Sequence, residues 1–290
     1  MFSGCLVALV TPFKDGRVDY AAIERLVEWH VEQKTDGLVP VGTTGESPTV
    51  TVQEHEKIIE TVVKQARGRI PVIAGAGANS TAEAIELARF SKDIGADATL
   101  QVTPYYNKPT QEGLYRHFAA IAEAVDLPMV LYNIPPRCVV NMTPETIARL
   151  AKIPQVVAVK EATGSMDQTT EILSRCGLTV LSGDDSLTLP LMALGAKGVI
   201  SVVGNLVPRD VKRLTDAMLA GNLAAAQEAH RKLYALCRAM FVETNPIPIK
   251  TAMKWVGLVE SDEKRLPMTD LSAAGAETLR RAMKEYGLLK

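Results

Sequence analysis

Residues 156–163 read V-V-A-V-K-E-A-T, an apolar run that ends in Lys160 with Glu161 behind it. Burying a lysine ammonium without a partner costs several kcal/mol. Lys160 is therefore either the first solvated residue past a strand or a lysine kept in a dry place for use. A neutral amine in such a place is the nucleophile that forms a Schiff base with a carbonyl substrate, and desolvation favours that neutral form. The carbinolamine must then lose water, which calls for a proton shuttle, and a tyrosine hydroxyl serves. Tyr132 closes another apolar run, P-M-V-L-Y, and Thr43 lies in G-T-T-G. A hydroxyl both donates and accepts, so Thr43 can pass the proton onward, while backbone N–H groups of the Thr43–Thr44 turn suit a small carboxylate. No metal or cofactor is required, because the iminium is itself the electron sink.

Such residues act together only if the chain brings them together. Short runs rich in Val, Ile and Leu recur at residues 6–10, 37–41, 71–74, 98–102, 128–132, 156–159, 179–181 and 198–203. They lack strict alternation, as expected of parallel strands covered on both faces. Between them lie amphipathic stretches. Ile23, Leu26, Val27 and His30 share a face at helical spacing within residues 19–33. Thr51–Glu54 and Ser80–Glu83 read as capping boxes, and Thr143-Pro144 as an N-cap followed by proline. Repeated strand–helix units without a linker predict an α/β fold of the (β/α)8 TIM-barrel type. The barrel is expected over residues 1–221. A helix near 209–220 closes it, and a C-terminal helical segment over 222–290 follows, with helices near 223–241, 248–256 and 271–286. A doubly wound open sheet is the alternative, but G-A-G-A-N-S at 75–80 lacks the third glycine of a dinucleotide fingerprint. Those glycines read instead as a tight strand-to-loop turn.

Active sites of such barrels sit at the C-terminal ends of the strands. There the polar residues collect: Thr43, Thr44 and Glu46; Tyr105 and Tyr106; Tyr132 and Asn133; Lys160 and Glu161; Gly183, Asp184 and Asp185; Ser201 and Asn205. Alternation places Val156, Ala158 and Lys160 on one strand face, with small Ala158 leaving room beneath the lysine. Singly, each has an ordinary explanation. Tyr132 is a core tyrosine, G-T-T-G a turn, Asp184-Asp185 an N-cap. Convergence on one rim favours a carbonyl enzyme of the class I aldolase type.

The bulk of the chain narrows the alternatives. Over 290 residues the formal net charge is −1, which offers no basic field for nucleic acid and no polybasic membrane anchor. Cys5, Cys138, Cys176 and Cys237 are scattered and the histidines form no ligand motif, so neither a zinc site nor a disulfide framework is expected. The apolar start has no basic n-region and is cut short by Thr11-Pro12, and no stretch approaches a membrane span. A cytoplasmic protein is expected.

Five segments carry a resemblance: G-T-T-G-E-S-P-T (42–49), V-T-P-Y-Y-N-K-P (102–109), Y-N-I-P-P-R (132–137), V-K-E-A-T-G (159–164) and L-S-G-D-D (181–185). Together they are similar to the pyruvate-dependent aldolase superfamily, over essentially the whole chain. Arg137, Y-Y-N-K-P-T-Q-E-G-L-Y, F-V-E-T-N-P-I-P-I-K (241–250) and R-L-P-M (265–268) resemble its dihydrodipicolinate synthase branch. Members of that branch condense pyruvate with aspartate semialdehyde on the route to diaminopimelate and lysine. The resemblance implies Lys160 as the Schiff-base lysine and Tyr132 as the general acid/base. It implies Thr43 and Tyr106 as the proton relay, with Tyr106 reaching in from a neighbouring subunit of a homotetramer. Thr44, Gly183 and Ile200 correspond to pyruvate-contacting positions, and Arg137 to the clamp on the semialdehyde carboxylate, a task suited to a bidentate guanidinium. Ser47, His55, Asn79, Glu83 and Tyr105 match the family's lysine-inhibitor pocket, whereas Pro48 and Val52 depart from forms with a second histidine. Cys138 stands where threonine is frequent. The rival within the superfamily is a lyase of 2-keto-3-deoxy acids. Arg137 discriminates, since a sugar-acid pocket favours hydroxyl-binding groups. A barrel that merely senses a keto acid is the rival of another class, and it has no need of a relay.

Overall fold

The computed structural model describes residues 2–290. Eight parallel strands form the barrel wall: β1 (Gly4–Ala8), β2 (Gly37–Val39), β3 (Ile73–Gly75), β4 (Ala98–Val102), β5 (Met129–Asn133), β6 (Val156–Glu161), β7 (Thr179–Ser182) and β8 (Gly198–Ser201). Hydrogen-bonded neighbours run β2-β1-β8-β7-β6-β5-β4-β3, and a parallel bridge between Leu38 and Val72 closes the ring. The TIM barrel is thus formed, and the open sheet is excluded.

Side-chain direction divides the core into two shells. Leu6, Ala8, Val39, Ile73, Leu100, Val130, Ala158, Leu181 and Ile200 cluster inside the barrel. A larger shell, with Val7, Leu131, Val159 and Val180, packs against the helices outside. Strand residues covered on both sides leave no polar face to alternate with, which is why the runs read as continuously apolar. One expectation of alternation fails. Val156 joins the outer shell, and the β5–β6 register shifts between Met129 and Val130. A bulge there offsets the start of β6, so Ala158 and Lys160 share the inner face without Val156.

The helices follow their caps. Asp19 accepts from the Ala22 N–H at the head of Tyr20–Glu32, and Thr51 with Glu54 completes a capping box on Val52–Ala66. Ser80 accepts from the Glu83 N–H before Thr81–Asp93, but the return half of the expected box is not formed. Thr143 caps Pro144–Leu150. Helix Pro208–Leu219 lies against β1, and Leu223–Ala239 packs on it and on Ala273–Tyr286. Two features were not anticipated. Phe13–Lys14 and Arg17–Val18 form a small hairpin, whose Asp15 and Gly16 have φ of 53° and 76°. Positive φ at both turn positions is what Asp-Gly supplies in a two-residue hairpin. Pro135–Cys138 forms a single helical turn directly after β5.

Candidate active site

β5 and β6 bring the central pair together. Tyr132 and Lys160 are register partners, and the Lys160 Nζ stands 4.1 Å from the centroid of the Tyr132 ring. Lys160 is 5% exposed and Ala158 beneath it fully buried. The lysine therefore enters the barrel mouth rather than the solvent. Tyr132 lines a cavity of about 250 Å³ with Thr43, Arg137 and Cys138. Its hydroxyl has no protein hydrogen-bond partner among the described residues, so it is free to serve a ligand.

The loop after β2 supplies the other wall. The Gly42 carbonyl accepts from the Gly45 and Ser47 N–H groups, and the Thr43 carbonyl from Glu46 N–H. That winding leaves the N–H groups of Thr43 and Thr44 without protein partners, the arrangement expected of a carboxylate cradle. The loop fits tightly over the strands. A Cβ on Gly75 or Gly77 would lie 2.3 Å from the Val41 carbonyl or the Val102 N–H nitrogen, so the close-turn reading of these glycines stands. Gly183, after β7, donates to the Glu161 carbonyl at 2.8 Å, and a Cβ there would lie 2.6 Å from that of Ala162. Ile200 faces the barrel interior. Arg137 sits on the exposed turn after β5 and lines the cavity, its Nη2 donating to the Asn245 carbonyl at 3.3 Å.

Other candidates lie apart or are already engaged. Thr43 shares the cavity with Tyr132 but is not hydrogen-bonded to it; such contacts are commonly loose before a ligand binds. Tyr106 is 91% exposed with φ of 71° and does not enter the cavity of its own chain. Among the residues matched to an inhibitor pocket, Ser47 and Tyr105 line the outer part of the cavity. His55 Nε2 lies 2.6 Å from the Gly75 carbonyl, and burial lowers the pKa of its ring. Asn79 Nδ2 donates to the Tyr105 carbonyl at 3.2 Å, and Glu83 remains exposed.

Some rim residues turn out to be anchors. Asp185 accepts from Ser201 Oγ and from the N–H groups of Val202 and Val203, while Asn205 binds the Ala8 carbonyl and the Val10 N–H. Glu161, buried beside Lys160, accepts from Thr163 N–H at 2.8 Å and Asn133 Nδ2 at 3.2 Å; desolvation holds its pKa above the usual value. Contacts from the C-terminal segment were missed altogether. Asn245 Nδ2 donates to Thr44 Oγ1 at 3.0 Å, and Lys250 Nζ to Glu46 Oε1 at 2.6 Å. The conspicuous signal for them was the run N-P-I-P-I-K (245–250), which has an isolated lysine in an apolar setting.

This geometry has close counterparts. Residues 1–286 match the dihydrodipicolinate synthetase family. The chain belongs to that family. The 4-hydroxy-tetrahydrodipicolinate synthase of Pelobacter propionicus is 55% identical over 291 residues, covering all of both chains. The crystal structure of dihydrodipicolinate synthase from Aquifex aeolicus superposes with a TM-score of 0.97 at 53% identity, over 99% of each chain. The chloride-inhibited enzyme of Acinetobacter baumannii, solved in complex with pyruvate, gives a TM-score of 0.97 at 46% identity over the full length of both. Among the described residues no helix is long and apolar enough to cross a membrane.

Proposed function

We propose that this chain condenses pyruvate with L-aspartate 4-semialdehyde through a Schiff base on Lys160. The activity is that of a 4-hydroxy-tetrahydrodipicolinate synthase, a lyase of the class I aldolase type. The observation that carries the site assignment is the pairing of buried Lys160 with Tyr132, its Nζ 4.1 Å from the ring centroid, where Tyr132 and Thr43 line one cavity.

The Lys160 amine adds to the pyruvate keto carbon while the Thr43–Thr44 turn receives the carboxylate. Ile200 and Gly183 bound the small methyl-bearing end. Tyr132 gives a proton to the carbinolamine hydroxyl, and water leaves. The iminium draws electrons from the methyl carbon, which loses a proton and becomes the enamine carbon. That carbon bonds to the semialdehyde aldehyde, whose oxygen takes up a proton. The semialdehyde amine then adds to the iminium carbon and displaces Lys160, closing the ring. Arg137 holds the semialdehyde carboxylate. Thr43 relays protons from Tyr132 toward solvent, with Tyr106 contributed by a neighbouring subunit. An exposed tyrosine with a left-handed backbone makes little sense in an isolated chain, and a homotetramer gives it a place. Ser47, His55, Asn79, Glu83 and Tyr105 form the matching lysine-inhibitor pocket in that assembly. The setting is cytoplasmic.

Treatment of the protein with pyruvate and borohydride tests the assignment. A reduced pyruvyl adduct is expected on the peptide bearing Lys160 and absent from Lys160→Ala. An adduct on a different lysine, or none in the wild type, rejects the mechanism.

A further inference from the structure

The Thr43–Thr44 turn is not held by its own loop alone. Glu46, two residues beyond it, has a left-handed backbone, φ 56°, and turns its carboxylate down into the protein. There Oε1 meets Lys250 Nζ at 2.6 Å, and Oε2 accepts from the Arg265 N–H at 3.1 Å. Both side chains of the ion pair are sealed, at 1% and 2% exposure. The Lys250 ammonium also lies 4.3 Å from the centroid of the Phe13 ring. Lys250 and Arg265 come from the C-terminal helical segment, more than 200 residues away in sequence. Two lesser ties flank them: Asn245 to the Thr44 hydroxyl, and Thr11 Oγ1 to the Gly45 carbonyl at 2.7 Å.

A buried ion pair is poor value as a source of stability, since well-packed apolar groups of similar size often do as well. Burial pulls the Lys250 pKa down to about 8, a sign of the cost incurred. What the pair supplies that apolar packing does not is direction. It fixes the Glu46 carboxylate at one point, and through the left-handed Glu46 backbone it fixes the turn three residues upstream.

We propose that Lys250 and Glu46 are positioning residues for pyruvate, by which the C-terminal segment holds the Thr43–Thr44 N–H groups in place to receive the carboxylate. The inference rests on the pyruvate reading of the site given above. It locates a specificity-determining contact outside the barrel, in a segment that contributes no residue to the cavity lining.

The test compares wild type with Glu46→Gln/Lys250→Met, which removes both charges together, and with Glu46→Asp, which keeps both but withdraws the carboxylate by one methylene. Wild-type protein is first trapped with pyruvate and borohydride. No adduct there defeats the functional reading itself, independently of this proposal. Given an adduct, the double variant is expected to fold and to raise the KM for pyruvate by about tenfold or more, since displacement of a binding group by an ångström has effects of that size or greater. The pyruvate concentration for half-maximal trapping should rise in parallel, while kcat at saturating pyruvate changes by less than about threefold. Glu46→Asp should lie between. Folded variants whose pyruvate KM and half-trapping concentration both match wild type overturn the proposal, even if they melt earlier. Should the double variant not fold, Glu46→Asp decides alone by the same two readings.

Discussion

Glu161→Ala probes how Lys160, the proposed Schiff-base lysine, is held. The carboxylate accepts from Thr163 N–H, Asn133 Nδ2 and Gln168 Nε2. Truncation leaves Asn133 with Asn141 Oδ1 at 2.9 Å and the Met142 carbonyl at 3.3 Å, so that amide stays satisfied. The Thr163 N–H loses its side-chain acceptor, a loss of about 1–3 kcal/mol. Unfilled space where the side chain stood adds about 1 kcal/mol. Against this, a desolvated carboxylate is removed, which returns part of the cost; its pKa is raised by that desolvation. A net destabilisation of about 2–3 kcal/mol follows, or a Tm lowered by roughly 5–10 °C for a chain of this size. Glu161→Gln should lose less, about 1 kcal/mol, because the amide fills the space and keeps one acceptor oxygen, although in either orientation its NH2 faces a donor.

The consequence for activity separates this account from mere core damage. Asn133 and Glu161 are register partners one residue beyond Tyr132 and Lys160. Loosening the outer pair should shift the inner one, and kcat should drop by about tenfold or more in Glu161→Ala at a temperature where the protein is still folded. Calorimetry and steady-state kinetics on the same preparation provide the check. A Glu161→Ala protein with wild-type kcat and a Tm within a degree or two of wild type would refute the reasoning.

Other outcomes follow from the same geometry. Arg137→Ala should lower kcat/KM for aspartate semialdehyde by roughly ten- to a hundredfold, the worth of a charged hydrogen bond, while pyruvate trapping on Lys160 stays near wild type; equal losses for both substrates would contradict the clamp. His30 is buried, with its pKa lowered by desolvation to about 3, so the unfolded chain takes up that proton first as pH falls. Its contribution is complete above the ordinary histidine pKa of about 6.5 and is lost below it at about 1.4 kcal/mol per pH unit. Urea midpoints between pH 7 and pH 4 should therefore fall less steeply in His30→Gln than in wild type. Mixing inactive Tyr106→Phe with inactive Lys160→Ala subunits should restore part of the activity, and failure despite proven subunit exchange would remove Tyr106 from the relay.

The barrel was legible because its strands are apolar on both faces and its helices begin at recognisable caps. The strand offset at Val156 was not, since a bulge changes which residues face inward without changing their types. Nor was the hairpin read, although Asp15-Gly16 between apolar residues is its ordinary signal. Lys160 and Tyr132 could be found because a lysine or tyrosine at the end of a buried run is conspicuous against its neighbours. Glu46 and Lys250 could not be paired, because nothing local to either residue reports a contact spanning 204 positions.

A sharper rule separates the rim residues that do chemistry from those that hold the rim, and it comes from the strand period of two. Val102, Tyr132, Lys160, Leu181 and Ile200 lie at the inner ends of β4 to β8, facing the barrel mouth. Each is followed by a buried polar residue: Thr103, Asn133, Glu161, Ser182 and Ser201. Pointing the other way, these tie neighbouring backbone and loops together. Thr103 Oγ1 donates to the Tyr132 carbonyl, Asn133 binds Met142, Glu161 accepts from Thr163, Ser182 donates to the Asp184 carbonyl, and Ser201 meets Asp185. A buried polar group facing the helices must be satisfied by protein: Asn133, Glu161 and Ser182 find partners in the loop just begun, Thr103 in the next strand and Ser201 in the loop after β7. Of the inner residues only Tyr132 and Lys160 carry polar side-chain atoms, and neither is hydrogen-bonded to protein among the described residues. Pooling all rim polar residues as one constellation therefore mixes two populations that alternate along the chain. Applied to this sequence, the period sorts Lys160 from Glu161 and Tyr132 from Asn133, and it makes the first member of each pair the candidate for chemistry.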